Sequence, residues 1–268
     1  MTIIIFLDII RNMKLYTWND ILSILNGDSN ADFFGGVKTG ISVGSFDGLH
    51  KGHRKLLAQL KEGCRVRGLS AGVITFTRPL PAIKHSGDYM GDLTTLNQRI
   101  SLFESVGIDF AIIVNFDDSF ASMMGADFLN ILLNVCNMEL LAEGIDFRCG
   151  FKGATDAQAI KYWANQNNVE TIFVDPVYFN EGTDEEERIS SSYIRTILSK
   201  GFFTTAAELL ERPYELDIAN LKKEPQSHQL LPPDGLYRTQ NEKGELVRLE
   251  IKDGKIVDLP KCDIVRFV

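Results

Sequence analysis

The 268-residue sequence predicts an α/β protein built on a parallel sheet, with a short C-terminal β appendage. Short apolar runs of strand length alternate with amphipathic, helix-length stretches between Ile41 and Val174. Beyond residue 230 the pattern changes to brief alternating strands punctuated by Pro232-Pro233-Asp234-Gly235, Glu242-Lys243-Gly244 and Asp253-Gly254. Hydrophobic residues make up 44% and charged residues 24%, enough apolar material for a sizeable soluble core.

Taken in order, Ile41–Phe46 reads as a buried strand, and Gly52 to about Arg67 as a helix with Leu56, Leu57 and Leu60 on one face. Ser70–Phe76 is the next strand, and Thr95 opens a helix carrying Leu96, Ile100, Leu102 and Phe103. The strand Phe110–Val114 follows, then a helix from Ala126 to Val135 and a strand from Met138 to Ala142. A helix over Asp156–Gln166 and a strand over Thr171–Val174 complete the alternation. Such alternation implies a parallel sheet covered on both faces, with right-handed crossovers placing every strand's carboxyl end on one edge. Ligands of open α/β sheets bind at that edge. Lys222–His228 is polar and reads as a linker. The expected division is therefore 1–39 as an N-terminal extension and lead-in, 40–217 as the main domain, and 218–268 as linker and β-rich tail.

A net charge of −8 argues against a general nucleic-acid coat, but not against a small anionic ligand held by local groups. The apolar start Met1–Ile10 carries Asp8, lacks a leading basic region and is too short to span a bilayer. Met13 offers an alternative start. Cys64, Cys136, Cys149 and Cys262 form no C-x-x-C pair, so neither a zinc site nor a disulfide framework is expected, and a reducing, cytoplasmic setting fits.

Two stretches carry the chemistry. Gly44-Ser45-Phe46-Asp47-Gly48-Leu49-His50-Lys51-Gly52-His53 falls where a strand turns into a helix, and holds two of the chain's four histidines. A helix start offers free N–H groups and a partial positive charge, and glycines let phosphates approach the backbone. Gly44 and Gly48 shape the turn, Ser45 can bond a phosphate oxygen, and Gly52 leaves room for a nucleotide. His50 and His53, three residues apart, share a helix face and can bond charge developing in a phosphoryl-transfer transition state. The second stretch, Ile189-Ser190-Ser191-Ser192-Tyr193-Ile194-Arg195, places three hydroxyls and an arginine at another helix start. A plain N-cap accounts for one serine, not three. Arg195 is suited to a leaving pyrophosphate. Catalytic candidates are thus His50, His53 and Arg195, and nucleotide-binding candidates are Gly44, Ser45, Phe46, Asp47, Gly52, Ser190, Ser191 and Ser192. Gly144-Ile145-Asp146-Phe147-Arg148-Cys149-Gly150 is a third element, in which Asp146 can hold a polar group and Phe147 cover an aromatic ring.

Together with Thr75-Phe76, Leu93-Thr94-Thr95-Leu96, Val106-Gly107-Ile108-Asp109, Phe116-Asp117-Asp118-Ser119-Phe120-Ala121 and Arg212-Pro213-Tyr214, these motifs resemble the FMN adenylyltransferase module of bacterial FAD synthetases. That module is a branch of the His-x-Gly-His nucleotidyltransferases. The resemblance spans about Ile41 to Leu216. It implies a Rossmann-like nucleotidyltransferase fold, ATP and FMN as substrates, magnesium, and transfer of AMP to FMN. It also puts Asp146, Phe147 and Phe76 on the flavin side, without naming metal ligands.

The chain departs from the family pattern in three places. Where the family reads Thr-Phe-x-Pro-His-Pro, this sequence has Phe76-Thr77-Arg78-Pro79-Leu80-Pro81, without the histidine. Ser-Ser-Thr becomes Ser190-Ser191-Ser192. The riboflavin kinase barrel of bifunctional members, with its Gly-x-Pro-Thr-Ala-Asn loop, is matched only by the fragment Leu230–Tyr237, so kinase activity is expected to be absent. Two alternatives compete: a flavin- or nucleotide-binding paralogue without turnover, and an adenylyltransferase acting on another acceptor such as phosphopantetheine. No nucleic-acid or membrane partner is expected.

Overall fold

The computed structural model describes residues 13–27, 34–84, 89–224 and 228–268. The apolar stretch Met1–Ile10 and part of the expected linker, 225–227, lie outside them. Six parallel strands form the central sheet in the order β1-β4-β3-β2-β5-β6. In chain order the elements are β1 (Lys14–Thr17), α1 (Trp18–Leu25), β2 (Thr39–Val43), α2 (Lys51–Arg67), β3 (Ser70–Phe76), α3 (Leu80–Lys84), α4 (Leu96–Ser105) and β4 (Phe110–Val114). Next come α5 (Asp118–Ser122), α6 (Gly125–Val135), β5 (Met138–Gly144), α7 (Ala157–Gln166), β6 (Glu170–Val174), the ribbon β7 (Tyr178–Phe179) and β8 (Glu187–Arg188), α8 (Ser191–Ser199) and α9 (Phe203–Leu210).

Local chemistry sets the element ends. Thr17 and Thr95 cap α1 and α4 in reciprocal boxes with Asp20 and Gln98. Asp156 caps α7, and Gly68 closes α2 in the left-handed conformation. The inner strands are largely buried because helices cover both faces; all five residues of β2 are buried. One face packs Trp18, Phe128, Leu132 and Ile160 against Ile41, Ile74, Phe110 and Leu141. The other packs Leu57 and Leu60 of α2 and Phe103 of α4 against Val73, Ala111, Leu140 and Ala142. Strand order reverses direction at β2: β3 and β4 lie on one side, β5 and β6 on the other. The carboxyl ends of β2 and β5 therefore flank a topological switch point.

Two findings go beyond the expected layout. The stretch read as a lead-in supplies β1, which extends the sheet at its β4 edge from Lys14↔Phe110 to Thr17↔Ile113. The chain then continues through β9 (Tyr214–Asp217), α10 (Ile218–Lys223), β10 (Gly235–Gln240), β11 (Leu246–Lys252), β12 (Lys255–Ile256) and β13 (Ile264–Phe267). Strands β9 to β13 form one five-stranded sheet, ordered β12-β11-β10-β13-β9. Its core includes Leu216, Leu249, Val265 and Phe267, and is shared with Ile194 and Leu198 of α8 and Leu209 of α9. The boundary drawn after residue 217 thus falls behind an edge strand of the C-terminal sheet. Among the described residues no helix is long and apolar enough to cross a membrane.

Candidate active site

A cleft of about 1120 Å³ opens over the switch point. Its lining includes every sequence-derived site residue: Gly44, Ser45, Phe46, Asp47, His50, Gly52, His53, Phe76, Asp146, Phe147, Ser190, Ser191, Ser192 and Arg195. Convergence on one cleft does not give these side chains equal freedom to meet a ligand.

The turn after β2 is strained. Phe46 and Leu49 sit at φ of 48° and 39°, and Gly48 at 80°, a region that costs a side-chain-bearing residue free energy. Burial compensates, because Phe46 and Leu49 are both fully inside. The turn delivers His50 as N-cap of α2, with His53 one turn on. Their rings stack with centroids 3.7 Å apart, and the edge of Phe46 meets His53 at 5.3 Å. Both Nδ1 atoms are buried without a hydrogen-bond partner among the described residues. Burial holds His53 down to about 3. It also holds His50 well below its ordinary value, with the charges of His53, Arg188, Arg195 and Arg212 adding to the effect. The pair is therefore neutral at pH 7. A Cβ on Gly52 would stand 3.2 Å from the His50 ring, so this glycine makes room for the histidine itself.

Asp47 and Arg195 face each other rather than open space. Asp47 accepts hydrogen bonds from the Leu93 and Thr94 amides and the Thr94 hydroxyl, each at 2.9 Å. It also pairs with the Arg195 guanidinium. Arg195 further donates to Gly91 O at 2.7 Å and Tyr89 Oη at 2.9 Å, and its guanidinium lies over the Tyr89 ring. Both charges are buried and paired, as burial demands. The serines divide in the same way. Ser190 Oγ accepts from the Tyr193 amide as N-cap, and Ser191 Oγ donates to Asp47 O at 2.8 Å. Ser192 is exposed at the helix start. The two motifs are thus tied to each other directly, aiming the N-termini of α2 and α8 into one cleft.

Ser45 Oγ accepts from the Leu80 amide at 3.0 Å, so the segment after Phe76, which lacks the family's histidine, still anchors the cleft wall through its backbone. Asp146 pairs with Arg188 of β8 at 2.7 Å, both about half exposed. The side of the cleft opposite α2 is aromatic, with Phe76, Phe116, Phe120, Phe128 and Phe147.

Three positioning residues escaped the sequence reading. Arg99 is buried and donates to Ser45 O, Thr75 Oγ1, Phe76 O and Thr77 O at 2.9–3.1 Å, locking the ends of β2 and β3. A cation between Leu96 and Phe103 on the apolar face of a helix is the signal that marks it. Arg188 immediately precedes the second motif and is marked by that adjacency. Tyr89 has no local signature. Among the described residues no group of three or more His, Cys, Asp or Glu could hold a metal ion.

A parallel α/β sheet with paired histidines at the helix start beside its switch point defines a Rossmann-like nucleotidyltransferase fold. Residues 37–193 match the FAD synthetase family, and the chain belongs to it. It is 30% identical over 178 residues to the bifunctional riboflavin kinase/FMN adenylyltransferase of Buchnera aphidicola subsp. Schizaphis graminum. It is 29% identical over 183 residues to the protein of that name in Bacillus subtilis, and 30% over 183 in Escherichia coli K12. Each match covers 66% of this chain and 55% of the relative, so the chain spans about half the length of the curated relatives it matches. A crystal structure described as a macrolide-efflux protein from Streptococcus pneumoniae superposes with a TM-score of 0.66 at 22% identity. It covers 86% of this chain and 92% of its own, a likeness of fold.

Proposed function

We propose that this chain is an FMN adenylyltransferase that joins FMN to the AMP moiety of ATP, releasing pyrophosphate, and that it does not phosphorylate riboflavin. The observation that carries the reading is the neutral, stacked His50–His53 pair on the cleft shared with the aromatic side chains. An FMN phosphate oxygen attacks the α-phosphorus of ATP; the P–O bond to the β-phosphate breaks and pyrophosphate departs with that electron pair. Each neutral imidazole has one N–H to donate toward oxygens gaining charge. The first-turn amides of α2 and α8 add fixed positive dipole. No covalent intermediate is required.

Ser192 and Arg188 are the groups on the α8 side with side chains exposed toward a departing pyrophosphate. Arg195 acts from behind, holding Asp47 and thereby the turn. With no acidic cluster among the described residues to hold it, magnesium is assigned to the triphosphate as part of the substrate. Phe76 and Phe147 take the flavin ring, with Asp146 at its polar side. Residues 218–268 contain no Gly-x-Pro-Thr-Ala-Asn loop, so this segment supplies no such phosphate loop.

A second reading, binding without turnover, draws on the histidine missing from the segment after Phe76. One experiment separates them: purified protein with ATP, magnesium and either FMN or riboflavin, the flavins resolved by chromatography. FAD formed from FMN alone supports the proposal. FMN bound but unchanged overturns it in favour of the second reading.

A further inference from the structure

Where β2 and β5 diverge, a carboxyl replaces a ladder hydrogen bond. The strands pair as far as Ile41↔Leu141; beyond that point the Val43 amide donates to Glu143 Oε1 at 2.6 Å. Glu143 is 1% exposed and lines the cleft. It follows Leu141 by two residues and so points to the same side of the sheet, toward the cluster of Phe76, Phe128 and Cys149. That is the aromatic compartment, not the face carrying α2. No second hydrogen bond reaches the carboxyl among the described residues. Burial holds its proton well above the usual carboxylate range, the Val43 amide offsetting this only in part. The neighbouring Cys149 thiol, pushed up to about 12 by burial and by Glu143, stays neutral too. The compartment floor is therefore an acid with one oxygen engaged by backbone and its remaining hydrogen-bonding capacity unused.

We propose that Glu143 is a specificity-determining residue of the acceptor site, its carboxyl hydrogen-bonding an in-plane nitrogen or carbonyl of the heterocycle seated among the aromatic side chains. This rests on the FMN reading above and deepens it. Aromatic walls alone accept any flat ring; one polar group at the floor selects a ring that carries a matching edge.

The test compares Glu143→Gln, which keeps an acceptor for Val43 and an N–H donor, with Glu143→Leu, which keeps bulk and removes both. Glu143→Met repeats the apolar arm if the leucine variant does not fold. FMN affinity is read by quenching of flavin fluorescence, alongside the KM for magnesium-ATP. Expected is an FMN Kd within about threefold of wild type for the glutamine variant and raised at least roughly tenfold for the apolar one, with the ATP KM changed less than about twofold. An apolar variant with wild-type FMN affinity overturns the proposal, as does one that loses FMN and ATP alike, or a glutamine variant as weak as the apolar one. Wild-type protein that binds FMN without forming FAD overturns only the proposed turnover and leaves this comparison intact. Wild-type protein that binds no FMN overturns the acceptor reading and the Glu143 assignment with it.

Discussion

The imidazole rings of His50 and His53 lie face to face, 3.7 Å between centroids and 21° from parallel. Two imidazolium ions at that spacing would repel by about 4 kcal/mol even at an effective dielectric of 20. The stack therefore reinforces what burial already imposes, and both rings stand uncharged at neutral pH.

Acid stability follows from this pair. Both folded pKa values lie below the unfolded value of about 6.5. Their stabilisation is complete above about pH 6.5 and is lost as pH falls toward the folded values, because the unfolded chain takes up protons first. Unfolding free energy should fall below that pH by up to about 1.4 kcal/mol per pH unit for each histidine. Thermal melts from pH 7 to 4 on wild type and a His50→Gln/His53→Gln double variant check this. An equally steep acid slope in the variant would show that other groups are responsible.

Replacing His53 with Ala should lower kcat by about 10²–10³, the usual effect of removing one oxyanion donor, with FMN affinity little changed. Steady-state kinetics with each substrate varied measures both. Unchanged turnover would remove His53 from the mechanism.

Asp47→Ala should destabilise the fold by about 3–5 kcal/mol, since it leaves the Arg195 guanidinium buried without its carboxylate. Urea unfolding gives the figure. A loss below about 1 kcal/mol, typical of exposed pairs, would mean that water replaces the carboxylate easily.

Gly52→Ala should separate stability from activity. Helix propensity favours alanine by about 1 kcal/mol, while the new Cβ pushes on the His50 ring from 3.2 Å. Stability should hold or rise slightly as turnover drops by roughly tenfold or more, as expected for a displaced catalytic group. Equal losses of both would point to a general packing defect.

Asp146→Ala removes a half-exposed ion pair to Arg188, worth no more than about 1 kcal/mol to the fold. The melting temperature should barely move while the KM for FMN rises. A change confined to ATP parameters would reassign Asp146 to the nucleotide.

The sheet is legible from the sequence wherever burial on both faces makes a strand continuously apolar, as at Phe110–Val114, or nearly so, as at Ser70–Phe76. β1 is not, because at the edge its residues Lys14 and Leu15 are exposed and no run forms. The site is legible as a set of residues and less so as a set of roles. Asp47 and Arg195 are 148 positions apart, and nothing local announces that each is the other's partner. The serine run advertises three hydroxyls, yet helix capping and the bond to Asp47 O engage two of them. Glu143 is one acid at the end of Leu140-Leu141-Ala142; its meaning appears only when β2 is seen to leave β5.

β9 pairs with β13 over four residues, and the Tyr214 hydroxyl donates to Leu230 O at 2.5 Å. The helix that presents Ser190–Ser192 to the cleft rests on that same sheet. Trimming the protein at residue 217 would therefore strip the floor from under α8 and bare Leu216 and Tyr214 to water, rather than release a clean catalytic half. The C-terminal strands stand away from the cleft yet share one hydrophobic core with the helix that borders it.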